Sequence, residues 1–107
     1  MTPEGSVWLT VARLTSAEET FRKAHSRYGA LSEMTDLEPG LPANVTRSGR
    51  MGSYTIRIEF TKDRYVLRAN PDLPRANRNW AWFYADNTGV ITYDRSGPAT
   101  PASRSMR

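Results

Sequence analysis

The chain has 107 residues, 38% of them hydrophobic, and carries a formal net charge of +4 at pH 7. This length suits a single domain with one modest core. The absence of cysteine excludes disulfides, thiolate zinc sites and cysteine nucleophiles. No run of about 18 apolar residues occurs, so we expect no segment to span a bilayer as a helix.

The first ten residues, MTPEGSVWLT, lack the basic region and apolar core of an intact secretory signal. Two alternatives stay open: a cytosolic protein, or a chain that begins after a removed or omitted segment. The basic balance raises the prospect of polyanionic partners. However, the arginines are spread along the chain from Arg13 to Arg107, which favours a solvated arginine-rich surface over specific nucleic-acid recognition.

Residues 6–28 are predicted to form one long helix. Apolar side chains recur at steps of three or four and form one stripe: Val7, Val11, Leu14, Ala17, Phe21, Ala24 and Tyr28. Charged residues lie mainly off this stripe, and Glu18 stands four residues before Arg22, as in a weak surface pair. Gly29 is suited to end the helix.

Residues 30–52 are predicted to be mainly a loop, because prolines and glycines follow one another among polar residues. Its first part, near Leu31 and Met34, suits one helical turn that folds back over the core. A long loop of this kind in a small domain often carries function.

Four strands are predicted after the loop. Residues 53–61 and 64–69 alternate between apolar and polar side chains and are separated by a short polar link, which indicates a hairpin. Residues 79–85 and 90–94 form a second pair, with Gly89 at the turn between them.

These elements predict an α+β fold in which one long N-terminal α-helix packs on a four-stranded antiparallel sheet. The globular domain is expected over residues 1–95. The segment 96–107 is predicted to be a disordered tail, since Met106 is its only large apolar residue.

Trp80 and Trp82 stand two residues apart and are predicted to share the sheet face that meets the helix. Phe83 and Ala85 would then take the other face. In the alternative, Trp80, Trp82 and Tyr84 form an exposed platform that stacks single-stranded nucleic acid. We favour the core, because few other large residues are left to cover the helix.

Catalytic signals are weak, and we expect neither an enzyme nor a bound cofactor. His25 is the only histidine, and a structural position near the end of the helix is favoured over a general base. Asp86, Asn87 and Asp94 are compatible with a calcium site, but turn formation explains them better. We therefore expect no metal.

Three segments resemble the globular part of type IV pilins and of the pseudopilins of type II secretion. The first is VARLTSAEETFRKAHSRYGALSEM (11–34), with a Tyr-Gly pair after an aromatic helix position. The second is YTIRIEF (54–60) followed by RYVLRANP (64–71). The third is WFYADNTGVI (82–91), an aromatic strand that meets an Asp-x-x-Gly-x-Ile turn. Together they span roughly residues 7–94, in the pilin order of helix, loop, hairpin and hairpin.

The resemblance implies a structural subunit whose partners are other pilin or pseudopilin subunits. The loop at 30–52 would be the αβ-loop, and residues from 70 onward the variable edge region, the two regions that usually carry subunit contacts. Their arginines are our candidates for contacts with subunits or DNA: Arg47, Arg50, Arg75 and Arg78. Pilins also have a leader and an apolar anchor helix, and the sequence shows neither.

The missing anchor leaves a truncated subunit and a natural, unanchored relative both open. An anchored subunit would lie in the periplasm or at the cell surface and contact the membrane only through the anchor. The alternative is a free-standing cytoplasmic module of the same fold that binds a protein or nucleic acid.

Overall fold

The structure is a computed structural model that describes residues 3–35, 37, 41, 43–72, 80–95 and 97–105. Two α-helices, one short 3-10 helix and six strands are present in this part of the chain. In chain order they are α1 (Pro3–His25), the 3-10 helix (Leu31–Met34), α2 (Ala43–Ser48), β1 (Arg50–Met51), β2 (Tyr54–Phe60), β3 (Tyr65–Pro71), β4 (Trp82–Asp86), β5 (Ile91–Asp94) and β6 (Arg104–Ser105).

Within the described residues the strands form one antiparallel sheet in the order β1-β2-β3-β4-β5-β6, so each strand pairs with its neighbour in sequence. The prediction of four strands is therefore wrong. The predicted hairpins are present as β2–β3 and β4–β5, and the two additional strands lie at the edges. A two-residue strand has no room for an alternating pattern, so β1 and β6 leave no signal in the sequence.

The predicted long helix is confirmed, although it covers Pro3–His25 rather than 6–28. It ends earlier because Ser26 takes a left-handed backbone conformation, with φ of 58°. The buried side of α1 is the predicted stripe up to Phe21: Val7, Val11, Leu14, Ala17 and Phe21 are all buried. Ala24 is exposed, whereas Tyr28 is buried beyond the end of the helix.

The prediction that Trp80 and Trp82 both pack against the core is correct for Trp80 and wrong for Trp82. Phe83 and Ala85 are 1% and 0% exposed and belong to the core, whereas Trp82 is only half-buried and lies on the opposite face of the sheet. Trp80 precedes the strand and stacks on Tyr54 with ring centroids 5.7 Å apart. Because β4 is apolar on both faces, its alternation does not say which face is inner. The small Ala85 leaves room for the helix, and Phe83 fills the space beside it.

The outer face of the sheet is partly covered by residues 97–103, which lead into β6 and lie within the range predicted to be a tail. The Arg68 guanidinium donates to the Ala99 carbonyl oxygen (3.0 Å), and the Thr92 hydroxyl donates to the Thr100 carbonyl oxygen (2.8 Å). Ala99 is 1% exposed, and under this cover Tyr84 is 6% exposed. Trp80, Trp82 and Tyr84 therefore do not form a common exposed platform.

Among the described helices, none combines the length and apolar character that a membrane crossing requires.

Candidate functional site

Two of the four predicted contact arginines lie close together in the segment that follows the 3-10 helix. Arg47 is exposed on α2, and Arg50 is exposed on β1. Arg50 Nη2 lies 3.0 Å from Asp72 Oδ2, and the Thr55 hydroxyl donates to Asp72 Oδ1 (2.7 Å). Arg75 and Arg78 lie outside the described residues. Arg47 and Arg50 are thus both exposed in one short segment, and Arg50 is held in an ion pair with Asp72.

The backbone that follows α2 lies close against β2 and holds the segment of Arg47 and Arg50 in place. Val45 on α2 is fully buried, and Gly49 has φ of 75°, where a side chain is strained. A Cβ at Gly49 would lie 2.6 Å from the Ile56 carbonyl oxygen, so the backbone approach requires glycine. The Asn44 side-chain amide also donates to the Arg50 carbonyl oxygen (2.7 Å). The arginines therefore project from a well-fixed backbone.

A shallow hollow of about 430 Å3 lies beside Arg47. Three segments line it, namely the start of the 3-10 helix, the end of α2 and the middle of β2: Ala30–Ser32, Thr46–Gly49 and Ile56–Glu59. Apolar side chains form part of its lining and charged side chains another part.

The most unusual polar group is the carboxyl of Glu18, which we expected on the helix surface. Glu18 is 0% exposed, and its Oε1 accepts a hydrogen bond from the Gly29 backbone N–H (2.8 Å). Its Oε2 is buried and finds no hydrogen-bond partner among the described residues. Glu18 thereby connects α1 to the chain that returns after the helix, which we call the junction (Tyr28–Met34).

Burial raises the pKa of Glu18 to about 7. The Gly29 N–H and the charge of Arg27 lower it, whereas the charges of Glu33 and Glu19 raise it further. Glu33 behaves in the opposite way, because its hydrogen bonds from Arg27 and from the Ala30 N–H lower its pKa to about 2. Near neutral pH, Glu18 is thus close to the midpoint of its titration.

Helical periodicity contained a signal for Glu18 that the sequence analysis did not use. The buried positions 7, 11, 14 and 21 continue through 18 at steps of four and three, so Glu18 falls on the stripe. We placed it on the surface because charged side chains are seldom buried. The charge of Glu18 suggested an exposed side chain, but its position on the apolar stripe is what correctly indicates burial.

Asp86 serves the β4–β5 turn itself, whereas Asp94 lies at the opposite end of this hairpin, paired with Trp82. Asp86 Oδ1 accepts hydrogen bonds from the backbone N–H and the hydroxyl of Thr88 (3.0 and 2.6 Å), and its Oδ2 accepts one from the Tyr84 hydroxyl (3.0 Å). Burial acts to raise the pKa of Asp86, but these hydrogen bonds outweigh it and the pKa is lowered. No group of three or more potential metal ligands occurs within the described ranges. The single histidine, His25, is exposed and stacks on Phe21 with ring centroids 4.2 Å apart.

The three pilin-like motifs fall on successive parts of the fold: α1 with the 3-10 helix, the β2–β3 hairpin, and the β4–β5 hairpin. The chain matches no protein-family model, no curated protein and no solved structure. The similarity to pilins and pseudopilins therefore depends on these motifs and on their order.

Proposed function

We propose that this protein is a structural subunit of the pilin or pseudopilin type, which assembles into a type IV pilus or a type II secretion filament. The observation that carries the proposal is the arrangement of α1 against a sheet that follows the chain order. One stripe of a 23-residue helix is buried on a meander of antiparallel strands, and the α2–β1 segment packs beside them. This order agrees with the pilin-like order of the three sequence motifs.

Partly exposed apolar side chains on α1 also support an assembly role. Leu9 is 42% exposed on α1, and the neighbouring Trp8 is only half-buried although it packs against the core. In a filament, α1 would act as a spine against which neighbouring subunits pack, and these side chains would be covered there. The partners we propose are other pilin or pseudopilin subunits, with Arg47 and the adjacent hollow as a contact surface.

On this proposal the protein works outside the cytoplasm, in the periplasm or at the cell surface. Contact with the membrane would be made only through an anchor helix continuous with the N-terminus of α1. A free-standing cytoplasmic module of the same fold remains the competing proposal.

The test of assembly is made in cells of the source organism, with a photo-crosslinking amino acid at position 47. We expect sheared surface or periplasmic filaments to contain the protein and to show a cross-link from position 47 to a second subunit. The same substitution at Lys62, at the exposed β2–β3 tip, shows whether the cross-link is specific to this surface. Recovery of the protein only as an uncross-linked cytoplasmic monomer would contradict the proposal.

Nucleic-acid binding is a second candidate, favoured by the net charge of +4 and the exposure of Arg47 on a fixed backbone. Its test is fluorescence anisotropy of labelled duplex and single-stranded DNA over a series of salt concentrations. Binding through phosphates should weaken steeply with salt, and Arg47→Ala should weaken it more than the control Lys62→Ala. A lack of binding at the lowest salt concentration excludes this candidate.

A further inference from the structure

The outer edge of β2 is covered for only part of its length. β1 pairs with Tyr54 and Thr55, and the Ile56 backbone N–H donates to the Gly49 carbonyl oxygen (2.6 Å). Beyond this point, no strand in the described part of the chain lies beside Arg57–Phe60 on the side away from β3. We call Arg57–Phe60 the open edge.

The hydrogen-bond register shows which backbone groups the open edge presents. The Thr61 N–H donates to the Arg64 carbonyl oxygen (2.8 Å), so the odd-numbered residues of β2 face β3. The Ile56 N–H points to the other side of the strand, and Ile58 and Phe60 follow it at steps of two. These two residues each present an N–H and a C=O that no described strand pairs. Unpaired groups of this kind are a template for a further strand.

The hollow beside Arg47 lies along the open edge. Ile56–Glu59 line it, and successive residues of a strand point to opposite faces of the sheet, so the hollow adjoins the edge rather than one face. Leu31 of the junction also lines it. Phe60 is 40% exposed and Ile58 is partly exposed. The edge therefore offers apolar side chains as well as unpaired backbone groups.

Charged side chains restrict which strand can pair with the open edge. Arg57 and Glu59 are exposed on the same face of β2, and neither makes an ion pair within the described structure. Opposite charges at facing positions of two strands are stabilising, and like charges are destabilising. An antiparallel strand therefore fits best with a basic residue against Glu59 and an acidic residue against Arg57. Apolar residues would face Ile58 and Phe60.

A second copy of this chain does not meet these conditions. From N- to C-terminus the required order is apolar, basic, apolar and acidic, and in this chain only Ile56–Glu59 has it, within β2 itself. Two β2 strands that set Arg57 against Glu59 would bring Phe60 of the second copy to the edge position that Gly49 already occupies. Sliding the second copy by two residues avoids this conflict but sets the two Glu59 carboxylates against each other.

We propose that the open edge binds an extended strand of another protein, antiparallel to β2, whose residues are apolar, basic, apolar and acidic in that order. The added strand would continue the sheet at about 4.8 Å from β2 and occupy the hollow. Its backbone would pair with Ile58 and Phe60, and its acidic residue would lie on the side of Arg57. The edge would bind such a strand whether or not the protein enters a filament.

The test uses the isotope-labelled full chain and a peptide in which valine, lysine, valine and glutamate are flanked by threonines. Amide hydrogen exchange is followed by NMR. With about nine-tenths of the protein occupied, exchange of the Ile58 and Phe60 amides should slow about tenfold. The Arg57 and Glu59 amides, which face β3, should change little. A control peptide with lysine and glutamate exchanged should bind about tenfold more weakly.

Two variants of the protein make the test specific. The double variant Arg57→Glu with Glu59→Arg should reverse the preference between the two peptides, because both side chains are exposed and the backbone pairing is retained. Ile58→Pro removes an N–H of the open edge without removing a hydrogen bond between β2 and β3. It should weaken binding of the first peptide about tenfold.

The proposal is overturned if neither peptide slows exchange at Ile58 and Phe60, or if both peptides bind equally well. It is also overturned if the double variant keeps the original preference. The double variant decides the matter by itself if Ile58→Pro does not fold. Because the measurement uses the purified protein and a peptide, its failure would leave the filament proposal to its own cross-linking test.

Discussion

The two faces of the sheet are covered in different ways. The inner face meets α1 through large apolar side chains, so that Leu67 and Phe83 are 0% and 1% exposed. The outer face is covered over Tyr84 by a polar segment with one buried alanine, and it is open over β2, where Arg57 is exposed. The inner cover has the periodicity of a helix, whereas the outer cover is held by hydrogen bonds that follow no sequence period.

The difference has consequences for stability. An aromatic side chain buries roughly 150–250 Å2, and each Å2 of apolar surface contributes roughly 25 cal/mol. A hydrogen bond such as that of Thr92 to the covering segment contributes about 1 kcal/mol net. We therefore expect substitutions on the inner face to lower the free energy of unfolding more than substitutions on the outer face.

The largest expected effect on the free energy of unfolding is at Phe83, which we compare with Trp82, the adjacent residue on the opposite face of β4. Phe83→Ala should lower the free energy of unfolding by about 3–5 kcal/mol, because it removes a ring from a packed core and leaves a cavity. Trp82→Ala, on the half-buried outer face, should lower it by only about 1–2 kcal/mol. Urea unfolding followed by circular dichroism measures both. Equal losses would mean that the two faces are packed alike.

The second effect concerns Glu18, a buried acid in the inner layer. Its folded pKa, about 7, lies above the usual value of 4.5, so the neutral form is favoured on folding. The stability that Glu18 contributes is fully present below about pH 4.5, falls as the pH rises toward 7, and is constant above that. The loss is up to about 1.4 kcal/mol per pH unit, or roughly 3 kcal/mol in all.

Urea unfolding at several pH values, compared with Glu18→Gln, tests this dependence. Glu18→Gln should remove most of the decline between about pH 4.5 and about pH 7, and Glu19→Gln should leave it in place. The decline would have to be assigned to another group if it were the same in Glu18→Gln.

The smallest effect on the free energy of unfolding is expected from substituting Arg68 on the outer face of the sheet. Arg68→Ala removes the hydrogen bond to the Ala99 carbonyl oxygen and the contact of the guanidinium with the Tyr84 ring, 5.0 Å from its centroid. It should lower the free energy of unfolding by about 1–2 kcal/mol and speed proteolysis within 97–105. Arg57→Ala, at the facing position on β2, should change it by less than about 0.5 kcal/mol. If both variants are cleaved equally slowly, Arg68 does not hold the segment.

Elements with a strong period were predicted well, and elements without one were not. The stripe from Val7 to Phe21 located α1, and the alternation of residues 53–61 located β2. Edge strands of two residues gave no pattern, which is why the strand count was wrong. Of the candidate contact residues, Arg47 and Arg50 could be placed in one segment from the sequence, but the ion pair of Arg50 with Asp72 joins residues 22 positions apart.

The sequence alone determined the helix, the two hairpins and their order, because each depends on a local repeat of apolar side chains. Only the tertiary structure decided which face of β4 is inner and that residues 97–103 cover part of the outer face. These features depend on contacts between residues distant in the sequence or on competition between two apolar faces. Local periodicity carries no information about either, so the packing of the whole chain was needed to settle them.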